Sequence, residues 1–261
     1  MIPQSDILQW GKRVPWKTNE QIEQDLVICR ALVEIFNNKY LAERLAFRGG
    51  TALHKLYLEP QPRYSEDIDL VQIKSAPIGE ILDHLREALS FLGKANLDTG
   101  DMMITLRFKF QAETSDTKLK LKIETNCREH FTELGWQKKN FSVNSDWFTG
   151  SCQLTTYKIE ELLGTKLRAL YQRRKGRDLY DLYKALTHSS VDTKAVVTCF
   201  KKYIEHSVGE IPSQKEFIKN MERKIKHQEF LADIMSLLRS DEEYDQEKAY
   251  ELVKTELIEK I

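Results

Sequence analysis

The period of the apolar residues changes near Tyr157, and this change constrains the fold more than any other feature of the sequence. Before it, two segments alternate apolar and polar residues in the manner of half-buried strands, Ile104 to Phe110 and Leu119 to Thr125. After it, apolar residues recur at helical spacing with almost no strand signal. The sequence therefore predicts an α+β domain over residues 1–155 and a helical bundle over residues 156–261.

Further elements follow from helical periodicity and from turn residues. In the first region the pattern predicts helices over 19–38, 51–58 and 77–92 and a strand over 68–73, with Thr18 or Asn19 capping the first helix. In the second region it predicts helices over 157–174, 178–186, 193–206, 214–238 and 246–261, the fourth being either continuous or broken in two.

Charge and cysteine usage exclude several classes of protein. Lys plus Arg and Asp plus Glu both total 40, so the formal net charge is zero, whereas a general non-specific nucleic-acid binder is basic. Any contact with nucleic acid must therefore come from a local patch. The four cysteines are far apart, which disfavours a zinc site and fits a reduced, cytoplasmic setting. We expect neither a membrane span nor a signal peptide.

Two carboxylates two residues apart, Asp67 and Asp69, stand at the start of the predicted strand over 68–73. Successive strand side chains alternate, so both point to one face while Ile68 and Leu70 point to the other. Paired carboxylates suit Mg²⁺ or Mn²⁺, and two such ions activate a hydroxyl and stabilise leaving pyrophosphate. An isolated Asp-x-Asp is more often a solvated strand end.

Other residues strengthen this carboxylate site. Gly49-Gly50-Thr51 stands at a predicted helix start, where backbone N–H groups attract phosphate, although a tight turn has the same composition. Glu124 lies on the polar face of a later strand as a candidate third carboxylate; the alternative is a cross-strand partner of Arg107 or Lys109. Lys120 and Lys122 share that face, which suits a polyanionic substrate.

A second candidate site lies in the helical region. Lys166 falls on the apolar stripe of the helix over 157–174, and a buried lysine needs an anionic partner. The alternative is a lysine at the edge of the stripe whose ammonium group reaches water. Asp178 and Asp181 follow on one helical face, although Asp181 has Arg177 as another local partner. The basic cluster from Arg168 to Arg177 is either a phosphate contact or a solvated turn.

Together these segments resemble the AbiEii/AbiGii toxin type of nucleotidyltransferases. The matching blocks are residues 47–57, 63–70, 119–126 and 161–183, and the opening segment with Trp10, Pro15-Trp16 and Glu23 to Leu26 is also similar. The resemblance extends to about residue 187; the later helices carry no motif that matches. Two departures are a glycine–threonine turn where the family has glycine–serine, and a glutamate at 124 where many nucleotidyltransferases have aspartate.

The resemblance implies a polymerase-beta-like nucleotidyltransferase fold followed by a helical bundle. It implies catalytic roles for Asp67, Asp69, Glu124, Lys166, Asp181 and Asp178, with the first three as metal ligands. It also implies nucleotide binding by Gly49, Gly50, Thr51, Ser65 and Lys166, the lysine contacting the triphosphate beside Asp178 or Asp181.

The resemblance further implies the toxin of a toxin–antitoxin or phage-defence pair. Such an enzyme uses Mg²⁺ or Mn²⁺ to transfer NMP from an NTP to an RNA acceptor, with tRNA as one expected acceptor and an antitoxin protein as partner. The basic cluster near Arg168 favours RNA. Two alternatives remain open: transfer to a protein hydroxyl, and a non-catalytic module that binds a nucleotide or a partner.

Overall fold

The computed structural model describes residues 2–100 and 103–261. Close Cα packing divides the chain into two compact units. The first unit comprises residues 1–56, 64–131 and 136–157, and the second comprises residues 57–63, 132–135 and 158–261.

The first unit is built on a seven-stranded mixed sheet. The strands are β1 (Leu45–Arg48), β2 (Asp67–Gln72), β3 (Asn96–Thr99), β4 (Met103–Gln111), β5 (Lys118–Asn126), β6 (Trp136–Asn144) and β7 (Thr149–Tyr157). Their order across the sheet is β3-β4-β5-β2-β1-β7-β6. β2 pairs in parallel with β5 and antiparallel with β1, so the strand bearing Asp67 and Asp69 is central.

Helices of the first unit cover the apolar side of this sheet. They are α1 (Gln4–Gly11), α2 (Asn19–Asn37), α3 (Lys39–Ala42), α4 (Gly49–Leu56) and α5 (Gly79–Ala88), with a 3₁₀ turn at Ser90–Leu92. The Thr18 hydroxyl caps α2 by accepting a hydrogen bond from the Gln21 N–H. α2 lies against β5, β6 and β7. The apolar residues of β2 and β5 are buried, and the lysines of β5 alternate with them on the other side.

The second unit is helical. Its helices are α6 (Ile159–Gln172), α7 (Gly176–His188), α8 (Thr193–Val208), α9 (Gln214–Lys224), α10 (Gln228–Met235) and α11 (Gln246–Glu256), with a 3₁₀ turn at Ile258–Lys260. Within the described residues the named strands all end by Tyr157; later, only Leu238 forms an isolated β-bridge, with Arg63. The α+β class with following helices is therefore confirmed.

Several elements differ from the sequence-based expectations. β1, β3, β6 and β7 were not predicted, and over 214–238 the interrupted alternative holds, because the segment forms two helices, α9 and α10. The helix expected from Pro77 begins at Gly79, and its last turn is 3₁₀. Among the helices that the structure describes, none combines the length and the apolar character that crossing a bilayer requires.

Candidate active site

Asp67 and Asp69 lie on the same face of β2, with Asp69 packed directly against the start of α4. Gly49 has a φ of +77°, and a Cβ atom there would lie 1.9 Å from Asp69 Oδ2. Only glycine accommodates both this backbone conformation and this approach. The Gly49-Gly50-Thr51 turn and the carboxylate pair are therefore one local structure, although Thr51 and Asp67 are 16 positions apart in the sequence.

Glu124 lies beside Asp69, because β2 and β5 are paired with Asp69 opposite Glu124 and Asp67 opposite Lys122. Thr105, rather than Arg107 or Lys109, is the residue opposite Glu124 on β4. Burial raises the pKa of Glu124, the charges of Asp69 and Asp67 raise it further, and the charges of Lys122 and Arg107 oppose the rise. The three acids thus form an electronegative region.

Whether a divalent cation fits this face depends on the donor set. Among residues 2–100 and 103–261, no three His, Cys, Asp or Glu side chains are placed so that they would together hold a metal ion. Mg²⁺, however, is typically held by one or two carboxylates plus substrate phosphates. Asp67 and Asp69 supply hard oxygen donors on one face, and Lys122 already offers Asp67 a positive charge at 3.5 Å. The donor set therefore fits a cation that arrives with a nucleotide.

The hydroxyl groups of Thr51 and Ser65 connect the turn to β2. The Thr51 Oγ1 hydroxyl donates to the Asp67 carbonyl oxygen at 2.5 Å and lies 2.8 Å from the Ser65 hydroxyl. Because Thr51 has a single hydroxyl proton, Ser65 is the donor in the second bond. Thr51 is 1% exposed. Both side chains are thus used within the protein, and the backbone N–H groups of the first turn of α4 are the groups suited to phosphate.

A buried ion pair fixes α4 against α2. Lys55 Nζ lies 2.8 Å from Asp25 Oδ1, and Trp10 Nε1 donates to Asp25 Oδ2 at 3.0 Å. Burial lowers the pKa of Lys55, but the charges of Asp25 and Cys29 and the hydrogen bonds to both together outweigh burial and raise it overall. This arrangement explains why Trp10 and the segment around Asp25 belong to the recognisable opening of the chain: they position the helix that begins at Gly49.

Arg48 is a residue of this region that sequence reasoning did not single out. It lies opposite Asp69 in the β1–β2 pairing, and its guanidinium group bonds Glu129 at 2.5 Å. Glu129 is 1% exposed and follows Asn126, whose side-chain oxygen accepts its N–H. The one signal in the sequence was the position of Arg48 immediately before the two glycines.

Lys166 is buried in the second unit, as its place on the apolar stripe predicts. Its Nζ atom lies 3.1 Å from Asp178 Oδ1 and 2.9 Å from Asp181 Oδ2, so both acids are partners. Each acid also receives two hydrogen bonds from an arginine: Arg173 bonds Asp178 and Arg63 bonds Asp181, at 2.6–2.8 Å. This network contains three cations and two carboxylates.

The cations of the basic cluster between α6 and α7 have acidic partners within the second unit. Beyond the pair of Arg173 with Asp178, Arg174 lies 3.1 Å from Glu229, and Lys175 and Arg177 lie 3.2 Å and 3.9 Å from Asp233. These charges therefore have protein partners, and the cluster gives little support for a phosphate contact.

Comparison with known proteins establishes the family. Residues 30–252 match the family model described as nucleotidyl transferase AbiEii toxin, type IV TA system. Because this match covers most of the chain, the chain belongs to that family, and the match extends over the C-terminal helices in which no motif had been recognised. No curated protein sequence matches at a significant level.

Solved structures show the same fold. JHP933 from Helicobacter pylori is 20% identical with a TM-score of 0.59, each chain being covered to 94%. MenT4, a nucleotidyltransferase toxin from Mycobacterium tuberculosis, is 15% identical with a TM-score of 0.58, covering 95% of this chain and 93% of its own. At these identities the likeness supports the fold alone.

Proposed function

We propose that the chain is a metal-dependent nucleotidyltransferase that transfers NMP from an NTP to a hydroxyl of an RNA acceptor, tRNA being the first candidate. The observation that carries the proposal is the juxtaposition of Asp67, Asp69 and Glu124 on one face of β2 and β5, with Gly49 packed against Asp69. Family membership supports nucleotidyl transfer as the reaction.

The proposed roles follow from these positions. The backbone of Gly49, Gly50 and Thr51 binds the nucleotide phosphates at the start of α4, and Ser65 holds the Thr51 hydroxyl in place. Asp67 and Asp69 hold Mg²⁺ or Mn²⁺, with Glu124 as the third acid. When bound, such ions polarise the α-phosphate and stabilise the leaving pyrophosphate.

The chemistry is a displacement at the α-phosphorus. The acceptor hydroxyl oxygen forms a bond to the α-phosphorus, the bond from that phosphorus to the α–β bridging oxygen breaks, and pyrophosphate leaves. The hydroxyl proton is lost to solvent or to a carboxylate of this face. The carboxylates hold the phosphates and the attacking oxygen in the required alignment, which is the main protein contribution to phosphoryl chemistry of this kind.

Lys166 is proposed to contact the triphosphate, with Asp178 and Asp181 fixing its position. Three cations share two carboxylates in its network, so Lys166 retains positive charge that its neighbours do not cancel. We assign residues 1–155 to the nucleotidyltransferase domain and residues 156–261 to the helical domain. The biological role that we propose is that of a cytoplasmic toxin controlled by a cognate antitoxin, in a toxin–antitoxin or phage-defence pair.

Labelled transfer separates the proposal from its alternatives. The chain is incubated with Mg²⁺, total cellular RNA and protein, and each NTP in turn, labelled at the α- or γ-phosphate. The proposal expects α-label in material that RNase destroys and proteinase K does not. Label that only proteinase K removes would indicate a protein hydroxyl as acceptor. Nucleotide binding without transfer to any acceptor would indicate a non-catalytic module.

A further inference from the structure

Two consecutive rows of like charge cross β4 and β5 on the face that carries the catalytic acids. Arg107 is opposite Lys122, and Lys109 is opposite Lys120. Asp67 is in turn opposite Lys122 on β2, which places these cations on the carboxylate face. Like charges directly opposite each other destabilise a sheet. Two such rows in succession are therefore stabilised by negative charge, either from neighbouring carboxylates or from a bound polyanion.

The rows differ in how their charges are compensated. Arg107 bonds Asp98 at 2.8 Å and Lys122 lies 3.5 Å from Asp67. Lys109 on β4 and Lys120 on β5 are exposed, and so is Lys118, which precedes Lys120 along β5. In the part of the chain that the structure describes, no carboxylate lies within ion-pair distance of these three lysines. The name lysine stripe is used below for Lys109, Lys118 and Lys120.

The lysine stripe and the basic cluster between α6 and α7 differ in whether their cations have acidic partners. The cations of the cluster pair with Asp178, Glu229 and Asp233, whereas the stripe lacks such partners among the residues that the structure describes. On a chain with zero net charge, a local patch is the only source of affinity for a polyanion. The stripe is such a patch, and it lies on the same sheet face as Asp67 and Asp69.

We propose that the lysine stripe binds the phosphate backbone of the RNA acceptor. The proposal deepens the proposed function and rests on it for the identity of the acceptor. From Glu124 to Lys118 the strand covers six residues, or roughly 20 Å. Lysines at every second position thus line a path several nucleotides long that ends at the carboxylates. Contacts of this kind position an acceptor without reading its sequence.

The test compares two double variants that each remove two positive charges. Lys109→Gln with Lys120→Gln removes the centre of the stripe. Lys39→Gln with Lys202→Gln removes two exposed lysines from α3 and α8 and serves as the control. Binding of a fluorescein-labelled 20-nucleotide RNA of mixed sequence is followed by anisotropy over a range of KCl concentrations.

Each phosphate contact to single-stranded nucleic acid contributes about 0.7 to the slope of log K against log salt. The stripe variant should therefore lose about 1.4 from that slope and bind on the order of tenfold more weakly at 100 mM KCl. The control should keep the wild-type slope. An unchanged slope in the stripe variant, an equal loss in both variants, or no RNA binding by the wild type would overturn the proposal.

A failure of the lysine-stripe proposal can be distinguished from a failure of the proposed function. If the stripe variant loses RNA affinity while the wild type transfers no nucleotide, RNA binding by the lysine stripe is supported and the proposed transferase activity is wrong. If the wild type labels RNA and the stripe variant does so with an unchanged KM for RNA, the proposed transferase activity is supported. In that case the proposal that the lysine stripe binds RNA is wrong. A stripe effect on binding should appear as a raised KM for RNA with little change in KM for NTP.

Discussion

Neutralising Lys166 should leave the second unit nearly as stable as before, whereas neutralising Asp181 should not. In Lys166→Met the hydrophobic stem remains, and the two acids keep their own arginines, Arg173 on Asp178 and Arg63 on Asp181. Without Lys166, two cations face two carboxylates, so no buried charge is left unpaired. The desolvation cost of the ammonium group disappears together with its attraction to the acids. We expect a change within about 1 kcal/mol in the free energy of unfolding.

The matched substitution Asp181→Asn removes a charge of the opposite sign. Its partner Arg63 is buried, with a side chain 3% exposed, and would lose the carboxylate that accepts two of its hydrogen bonds. Burial lowers the pKa of Arg63, but the charge and hydrogen bonds of Asp181, together with the charge of Asp178, outweigh burial and raise it. An uncompensated buried charge typically costs about 3–5 kcal/mol, so Asp181→Asn should destabilise the protein by about 3 kcal/mol.

The loss of unfolding free energy expected for Lys166→Ala lies between those expected for Lys166→Met and Asp181→Asn. It removes three methylene groups, each worth about 0.8 kcal/mol of burial, and should cost roughly 2 kcal/mol through lost packing. Guanidinium denaturation monitored by circular dichroism measures all three variants, and NTP affinity is measured on those that fold. A Lys166→Met protein destabilised as much as Asp181→Asn would refute this description of the network. A Lys166→Met protein that binds NTP and transfers as well as the wild type would refute the triphosphate role.

Two further perturbations test the first unit. Gly49→Ala should reduce transfer at least 100-fold and cost about 2 kcal/mol, because its Cβ would displace Asp69 and the positive φ adds strain. Gly93→Ala is the control, since Gly93 has a similar φ of +80° with no atom within 4 Å of an added Cβ. An equal loss of transfer activity and of unfolding free energy in both variants would mean that backbone strain alone causes the effect. Burial raises the pKa of Glu23 to about 7, so the protonated form is favoured in the folded state, and its contribution to stability is complete below about pH 4.5 and lost as pH rises through 7. Relative to Glu23→Gln, the wild type should therefore lose about 3 kcal/mol of unfolding free energy between pH 4.5 and 8, and a constant difference across that range would contradict the burial argument.

Elements with a strong periodic pattern could be predicted from the sequence. The spacing of apolar residues in α2 and the alternation in β4 and β5 gave bounds within about two residues of those observed. β6 was missed because consecutive polar residues, Lys138 to Asn140, interrupt its alternation, and β7 because its first half is polar on both faces. β1 has four residues, three of them apolar, and is too short for either period to be recognised.

The candidate site was predictable in its parts but not in its assembly. Alternation places Asp67 and Asp69 on one face, and the apolar stripe of α6 places Lys166 inward. The position of Glu124 beside Asp69 depends on parallel pairing between β2 and β5, a non-local arrangement that no local period encodes. The arginine partner of Asp181 was missed for the same reason, because Arg63 and Asp181 are 118 residues apart.

The most direct measurement of the central claim is transfer of α-labelled NMP to RNA by the wild type and by two aspartate variants. Asp69→Asn removes one proposed metal ligand and keeps the shape of the side chain that packs against Gly49. Asp83→Asn, at an exposed position of α5, is the matched control. Losing several kcal/mol of transition-state stabilisation should lower transfer by Asp69→Asn on the order of 1000-fold, with an unchanged melting temperature and full activity in Asp83→Asn. Near-wild-type transfer by a folded Asp69→Asn protein would contradict the assignment of the active site.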